Sequence, residues 1–313
     1  SSAASDVYKR QGIRWIYSRS IWSALAFRFF RILSKAKLIY DFRGDLVAES
    51  SANGDSVVKL FVLKRLVKIA IACSSVVLTV SQSSASFLKL KYGVLNPIIL
   101  PSAVDRYPYS EALLIAKKFR HSLGIMDDEV VLVYAGGTAS YQMIPQMLMI
   151  WKVLVSQLNV RCILLTKQSL KHDSSINSLI SSVPGIISLS VNREEIPLYL
   201  AAADIGFLLR DQQQLNSVAS PVKFAEYLAA ELAVVTSPGV GDISELVQKK
   251  NLGILIHPNN LKQSVLACSN LIQDISNNKE QFKERSHYIF NEGYWDLESH
   301  TNIWKKILQQ NIT

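Results

Sequence analysis

Residues 220–245 read SPVKFAEYLAAELAVVTSPGVGDISE, and their order of elements decides how the chain folds. Ser220 is a good helix N-cap, and Pro221 suits a first helical turn, where its missing N–H would have no partner. The helix carries Lys223 and Glu226 among apolar residues and gives way to a short β-branched run, AVVTS. A loop with Gly239 and Gly241 follows, and Asp242 precedes another helical pattern. Helix, fully apolar strand, glycine loop and helix in that order is the repeating unit of a parallel sheet covered on both faces.

Working outward, the same alternation extends in both directions from residue 12. The candidate strands are IRWIYS, KLIYDF, SVVLTV, PIILP, VVLVYA, RCILLT, GIISLS, DIGFLL, AVVTS and GILIH. Amphipathic stretches such as WSALAFRFFRIL, VVKLFVLKRLVKIA and MIPQMLMIWKVLVSQL lie between most of them. The fold class is α/β, and right-handed crossovers place the strand carboxyl ends on one edge, where ligands bind. Three helical segments, about 260–275, 278–290 and 295–309, close the chain.

A boundary falls in PSAVDRYPYSEA, where prolines follow a strand and the apolar period is lost. We expect a first domain over 12–105, a second over 106–290, and a C-terminal helix at 291–313 packing back on the first. The first holds about four strands where a doubly wound domain has about six, so its beginning is expected upstream. SSAASDVYKRQ, residues 1–11, has no periodicity and resembles a translated adapter, so it is set aside as a non-native leader.

Composition excludes several classes. Of 313 residues, 49% are hydrophobic and 19% charged, which is globular. Three scattered cysteines and five scattered histidines, without C-x-x-C or H-E-x-x-H, argue against a disulfide framework and against a metal site. No apolar run reaches the ~18 residues of a membrane span. The net charge of +9 is uneven: residues 1–108 hold 16 Lys and Arg against 6 Asp and Glu, a balance of +10, and the remainder balances at −1. That asymmetry suggests either contact with an anionic surface or a solvated basic face.

The helix N-terminus at Pro221 follows a strand's carboxyl edge, so its free N–H groups and positive dipole end attract phosphate. Lys223 in the first turn goes against the dipole preference, which an anion beside it would explain. Glu226 could accept hydrogen bonds from the vicinal hydroxyls of a ribose. The alternative is a solvated Lys–Glu helix pair worth a few tenths of a kcal/mol. The glycine loop reads G-x-G-x-x-S, an imperfect dinucleotide fingerprint with no acidic residue about 20 positions on, which disfavours a dehydrogenase.

The same 220–245 stretch resembles the donor segment of family 4 retaining glycosyltransferases, which have two Rossmann-like domains in the GT-B fold. VYAGGTASYQ, SVNREEIPLYLAAADIGFLLR, LTVSQSSASFLKLKYGV and ILPSAVD resemble further family segments in the right order, and YDFRGDLVAES matches a D-x-R-G…E variant. The resemblance spans about residues 12–309. It implies two Rossmann-like domains with parallel sheets flanked by helices, the N-terminal one incomplete. It implies donor contacts from Gly136 and Gly137 in the glycine turn, Val191 in the base loop, and Ser220, Pro221, Lys223 and Glu226. Gly239, Gly241 and Asp242 would close the sugar side. Val218 stands where the family's first motif glutamate falls. The usual Arg and Lys after the glycine turn are absent, and Arg210 with Lys223 are the nominated substitutes.

In the first domain Asp41, Arg43 and Glu49 form the acceptor-side candidates. Arg43 either holds an anionic acceptor or is braced by Asp41. Glu231 replaces a glycine common at this helix end, at a cost of about 1 kcal/mol if the left-handed geometry is kept. The implied activity is metal-independent, retaining transfer from a UDP or GDP sugar to a glycan or lipid-linked acceptor in bacterial surface polysaccharide synthesis. No cofactor, metal, nucleic-acid partner or catalytic nucleophile is implied. The implied location is cytoplasmic, with peripheral contact at an anionic membrane face. Two alternatives stay open: a non-catalytic binding subunit of the same fold, and a sugar-nucleotide 2-epimerase.

Overall fold

The computed structural model describes residues 14–30, 36–52, 54–166 and 174–309; the leader expected at 1–11 lies outside them. These residues form two compact units. Unit 1 runs to Pro101 and takes in Ser217–Ser220 and the chain from Ile303, and unit 2 is Ser102–Asn216 with Pro221–Asn302.

Unit 1 contains β1 (Trp15–Ser18), α1 (Ile21–Phe30), β2 (Lys37–Phe42), α2 (Leu46–Ala52), α3 (Val57–Ala72), β3 (Val76–Thr79), α4 (Gln82–Tyr92) and β4 (Ile98–Ile99). Its strands pair in parallel in the order β1-β2-β3-β4. Local signals fix the helix ends: Ser81 accepts from the Ser84 N–H at 3.0 Å to start α4, and Gly93 ends it in the left-handed region. Leu38, Tyr40 and Phe42 alternate onto one face of β2 against Ala24, Phe27 and Val67, while Ile39 packs with Leu78, Leu100 and Ile307 on the other.

Unit 2 contains α5 (Tyr107–Ser122), β5 (Val130–Ala135), α6 (Ile144–Gln157), β6 (Val160–Leu165), α7 (Ser174–Ser181), β7 (Ile187–Leu189), α8 (Ile196–Ala201) and β8 (Ile205–Leu208). There follow α9 (Gln214–Ser217), which ends in unit 1, α10 (Val222–Ala229), β9 (Ala233–Thr236), α11 (Ile243–Lys249), β10 (Gly253–Leu255), α12 (Leu261–Glu292, bent at Asn278) and α13 (Leu297–Gln309), which belongs to unit 1 from Ile303 onward. The sheet is parallel in the order β10-β9-β8-β5-β6-β7. Every strand expected from sequence is present, and both sheets are parallel with helices on them, as the α/β reading required.

The β5 run VVLVYA is buried at all six positions because helices cover both of its faces. On one face Trp151 of α6 meets Phe207 edge-on at 5.5 Å, and on the other Tyr227 of α10 lies against Gly206 of β8. A Cβ on Gly206 would sit 2.5 Å from the Tyr227 ring, so β8 needs glycine there. The Tyr227 hydroxyl donates to the Phe207 carbonyl at 2.9 Å, which satisfies the polar tip of a fully buried ring. Burying each such side chain contributes about 1.5–3 kcal/mol.

Asp204, at the start of β8, pairs with Arg120 at 2.9 Å and Lys279 at 2.5 Å and accepts from the Val131 N–H. These contacts tie α5 and α12 to the amino ends of the strands. The chain reverses its direction of travel across the sheet between β5 and β8. In an open parallel sheet, ligands bind outside the carboxyl ends at that switch point.

Candidate functional site

At the carboxyl end of β5 the chain turns through Gly136 and Gly137, and at the end of β8 it continues into Leu209 and Arg210. The Arg210 backbone is clamped to the next strand: its N–H donates to Ser237 Oγ at 2.8 Å, and the Ser237 hydroxyl donates back to the Arg210 carbonyl at 2.6 Å. The guanidinium lies 4.7 Å over the Tyr141 ring. Its Nε and Nη1 are buried and, among the described residues, have no hydrogen-bond partner. Buried donors left unpaired cost on the order of 1–3 kcal/mol, more when charged, so this is a donor set poised for an acceptor.

Lys223, from the first turn of α10, reaches the same place. Its Nζ donates to Tyr134 Oη at 2.6 Å and to Gln142 Oε1 at 2.8 Å, and lies 3.8 Å over the Tyr134 ring. The Tyr134 hydroxyl donates onward to the Gly137 carbonyl at 2.5 Å. Gly136 makes the reach possible, since a Cβ there would lie 2.2 Å from Lys223 Cε and its φ is +154°. Burial first, then the Arg210 charge, pushes the Lys223 ammonium well below its usual value, and Glu226 opposes the shift. Two cations thus converge with no carboxylate bonded to either among the described residues, which is an unfavourable arrangement until an anion arrives.

Glu226 stands one turn along α10. Burial raises its carboxyl above the usual range, and Lys223 and Arg193 each pull it back. Arg193 comes from the 3₁₀ turn Arg193–Glu195, which Asn192 and Glu195 cap reciprocally. Val191, just before it, packs against the core face that includes Phe224 and Tyr227. Beyond β9, Gly239 and Gly241 adopt φ of +80° and +45°. The Gly241 N–H donates to the Asn216 carbonyl at 3.0 Å, and the Val240 N–H to Ser244 Oγ at 2.9 Å, so the loop is held by its backbone. Asp242 caps the start of α11 by position, with no side-chain capping bond.

The helix start differs from the sequence expectation. Pro221, not Ser220, is the N-cap residue of α10, with extended backbone (φ −60°, ψ 126°). The Phe224 N–H closes the first turn on the Pro221 carbonyl at 3.0 Å. With Pro221 extended the helix begins one residue later, and its first turn lacks a side-chain cap. Ser220 is partly buried in the Ser217–Ser220 segment of unit 1, and Val218 there is 2% exposed. Glu231 holds φ +59° with its carboxylate 3.0 Å from His287 Nδ1.

Thus Gly136, Gly137, Arg210, Lys223 and Glu226 gather at the switch point, with the Gly239–Asp242 loop following β9 beside β8. Tyr134, Tyr141 and Gln142 escaped the sequence reading, although only three residues separate the glycine pair from Tyr141 and Gln142. Within unit 1, Asp41 is 1% exposed and accepts from Arg43 Nε at 2.7 Å and from the Tyr17 hydroxyl. The bracing contact between Asp41 and Arg43 therefore exists. Glu49 is raised by burial and by Asp45. Among the described residues, no group of three or more His, Cys, Asp or Glu side chains could hold a metal ion, and no helix is long and apolar enough to cross a membrane.

Residues 129–274 match the family model described as Glycosyl transferases group 1. Among solved structures the chain resembles sucrose-phosphate synthase from Thermosynechococcus elongatus, at 13% identity and TM-score 0.74, over 98% of this chain and 76% of that one. It resembles Anabaena HepE in complex with UDP, at 15% identity and TM-score 0.72, over 97% and 81% of the two chains. It also resembles WaaG, a glycosyltransferase involved in lipopolysaccharide biosynthesis, at 15% identity and TM-score 0.69, over 92% and 82%. No curated protein matches the sequence. At these identities the structural likeness is one of fold, and that fold is GT-B. The family model and the fold agree on one class, the glycosyltransferases, to which this chain is similar.

Proposed function

We propose that the chain is a retaining glycosyltransferase that takes a sugar from a nucleoside-diphosphate donor and passes it to a glycan or lipid-linked acceptor in surface polysaccharide synthesis. The observation that carries the reading is Arg210, whose buried Nε and Nη1 are unpartnered beside Lys223, whose ammonium burial and the Arg210 charge disfavour until an anion binds. A donor diphosphate supplies the missing acceptors and the missing negative charge. As the sugar leaves, charge grows on the diphosphate, and cations fixed in place by Ser237, Tyr141, Tyr134 and Gln142 stabilise it without reorganising. On this reading Glu226 accepts from ribose hydroxyls, and the Gly239–Asp242 loop faces the sugar. HepE, solved with UDP and with UDP-glucose, gives a precedent for the donor class.

One observation favours a second reading, a chain that binds donor without turnover. Val218 is buried and apolar where the resemblance expects a glutamate, so a donor-sugar contact is lacking there. The test is release of nucleoside diphosphate from a panel of UDP and GDP sugars, with an envelope lipid extract as acceptor. Product with the anomeric configuration of the donor supports retaining transfer. Tight donor binding with no release under any acceptor supports the second reading.

A further inference from the structure

Arg210 is followed directly in the chain by a carboxylate, Asp211, yet its buried Nε and Nη1 stay unpartnered among the described residues. The reason lies in what holds Asp211. Asn216 of α9 is 1% exposed, and its Nδ2 donates to Asp211 Oδ1 at 2.6 Å and to the Asp211 carbonyl at 3.0 Å. Gln213 Nε2 donates to Asp211 Oδ2 at 2.6 Å, so both carboxylate oxygens are taken by amides. The Asp211 N–H donates at 3.2 Å to the carbonyl of Tyr141, whose ring faces the Arg210 guanidinium. Asn216 is itself fixed by its backbone. Its N–H donates to the Gln213 carbonyl at 2.9 Å, and its carbonyl accepts from the Gly241 N–H at 3.0 Å. Within unit 2, one buried side chain therefore holds the carboxylate that adjoins Arg210.

The chemistry of the amide matters here. Both groups that Asn216 meets on Asp211 are acceptors, so its NH₂ end must face them. An amide satisfies a carboxylate without carrying charge, whereas a guanidinium paired with that carboxylate would have its donors and its charge already engaged. We propose that Asn216 is a positioning residue that keeps Asp211 off Arg210 and so preserves the guanidinium for the donor diphosphate. The inference rests on the donor reading above. Once freed from Asn216, the Asp211 carboxylate turns to the adjoining guanidinium, and a diphosphate must displace it to bind. The competition weakens diphosphate binding selectively, since a nucleoside lacks the groups that meet Arg210.

Calorimetric titration of the full chain with UDP and uridine, and with GDP and guanosine, tests this through the affinity margin of diphosphate over nucleoside. Asn216→Leu keeps the branching of the side chain and removes its donors. It should lower the margin on the order of tenfold, the worth of a hydrogen bond to a charged group, with nucleoside affinity unchanged. Adding Asp211→Asn removes the competing charge and should restore most of the margin. A purely structural role for Asn216 gives no such rescue, because the second change returns no lost contact. Where thermal melting shows that Leu is not accommodated, Asn216→Ala carries the same comparison. An unaltered margin in the Asn216 variant, or a loss that Asp211→Asn does not relieve, would overturn the proposal. A wild type with no margin would overturn the donor reading and this inference with it, so the wild type and the variants separate the two failures.

Discussion

Lys223 Nζ stands 2.6 Å from the Tyr134 hydroxyl and 3.8 Å from the centre of its ring, so one aromatic side chain both accepts from the ammonium and faces it with π density. Tyr134 is the next-to-last residue of β5 and Lys223 the second of α10, and the contact joins the two sides of the switch point. The ammonium gains a hydrogen bond and a cation–π contact yet remains buried beside Arg210, and the unfavourable terms dominate.

That balance gives a pH prediction. The folded value of Lys223 lies below its unfolded 10.5, so between the two the unfolded chain binds more protons. Stability therefore rises with pH across that window, and Lys223→Met removes this rise. A bound diphosphate favours the ammonium, so binding takes up protons above the folded value. Calorimetry of UDP binding in buffers of different ionisation enthalpy should show the uptake in the wild type and not in Lys223→Met.

Gly136→Ala should behave like a lesion of Lys223. The new Cβ would lie 2.2 Å from Lys223 Cε, at a φ that side chains rarely adopt. We expect a stability loss on the order of 1–3 kcal/mol by chemical denaturation. UDP binding should weaken to match Lys223→Met, and adding Lys223→Met to Gly136→Ala should cost little further affinity.

The fold was legible because each strand is a short apolar run between helical patterns, and the site was legible in part. Pro221, Lys223 and Glu226 announce themselves as polar or conformationally special residues on an apolar helix. Arg210 is conspicuous at a strand end. Tyr134 and Gln142 were hidden, since Tyr134 is the next-to-last residue of an apolar strand and reads as core, and only the Gly136 turn brings Lys223 to it. The offset of α10 by one residue was also hidden, because Ser-Pro is compatible with either residue as the cap.

Glu231→Gly should stabilise the protein. Glu231 holds φ +59°, where a side chain costs about 1–2 kcal/mol that glycine avoids. Glycine's added unfolded-state entropy and the lost contact to His287 offset part of this. The expected outcome is a modest rise in thermal midpoint with unchanged UDP affinity.

Asp41→Asn should report on the unit 1 cluster. Burial first, then the hydrogen bond and charge of Asp41, pushes the Tyr17 phenol up to about 12. Removing the negative charge should bring it back toward 10, read by tyrosine-labelled NMR titration. Stability should fall as Arg43 loses its buried carboxylate, by about 3–5 kcal/mol if the pair behaves as fully buried and less because Arg43 is part-exposed.

The central claim is that Arg210 and Lys223 hold a diphosphate at the β5–β8 switch point. Calorimetric affinities of UDP and uridine, and of GDP and guanosine, for the wild type and Arg210→Ala test it most directly. The account predicts that the preferred diphosphate binds at least about tenfold more tightly than its nucleoside, since charge-assisted bonds to buried donors are worth about 1.5–3 kcal/mol each. Arg210→Ala should erase most of that margin while leaving nucleoside affinity unchanged. A wild type that binds diphosphate no better than nucleoside, or an unaltered margin in Arg210→Ala, would contradict it.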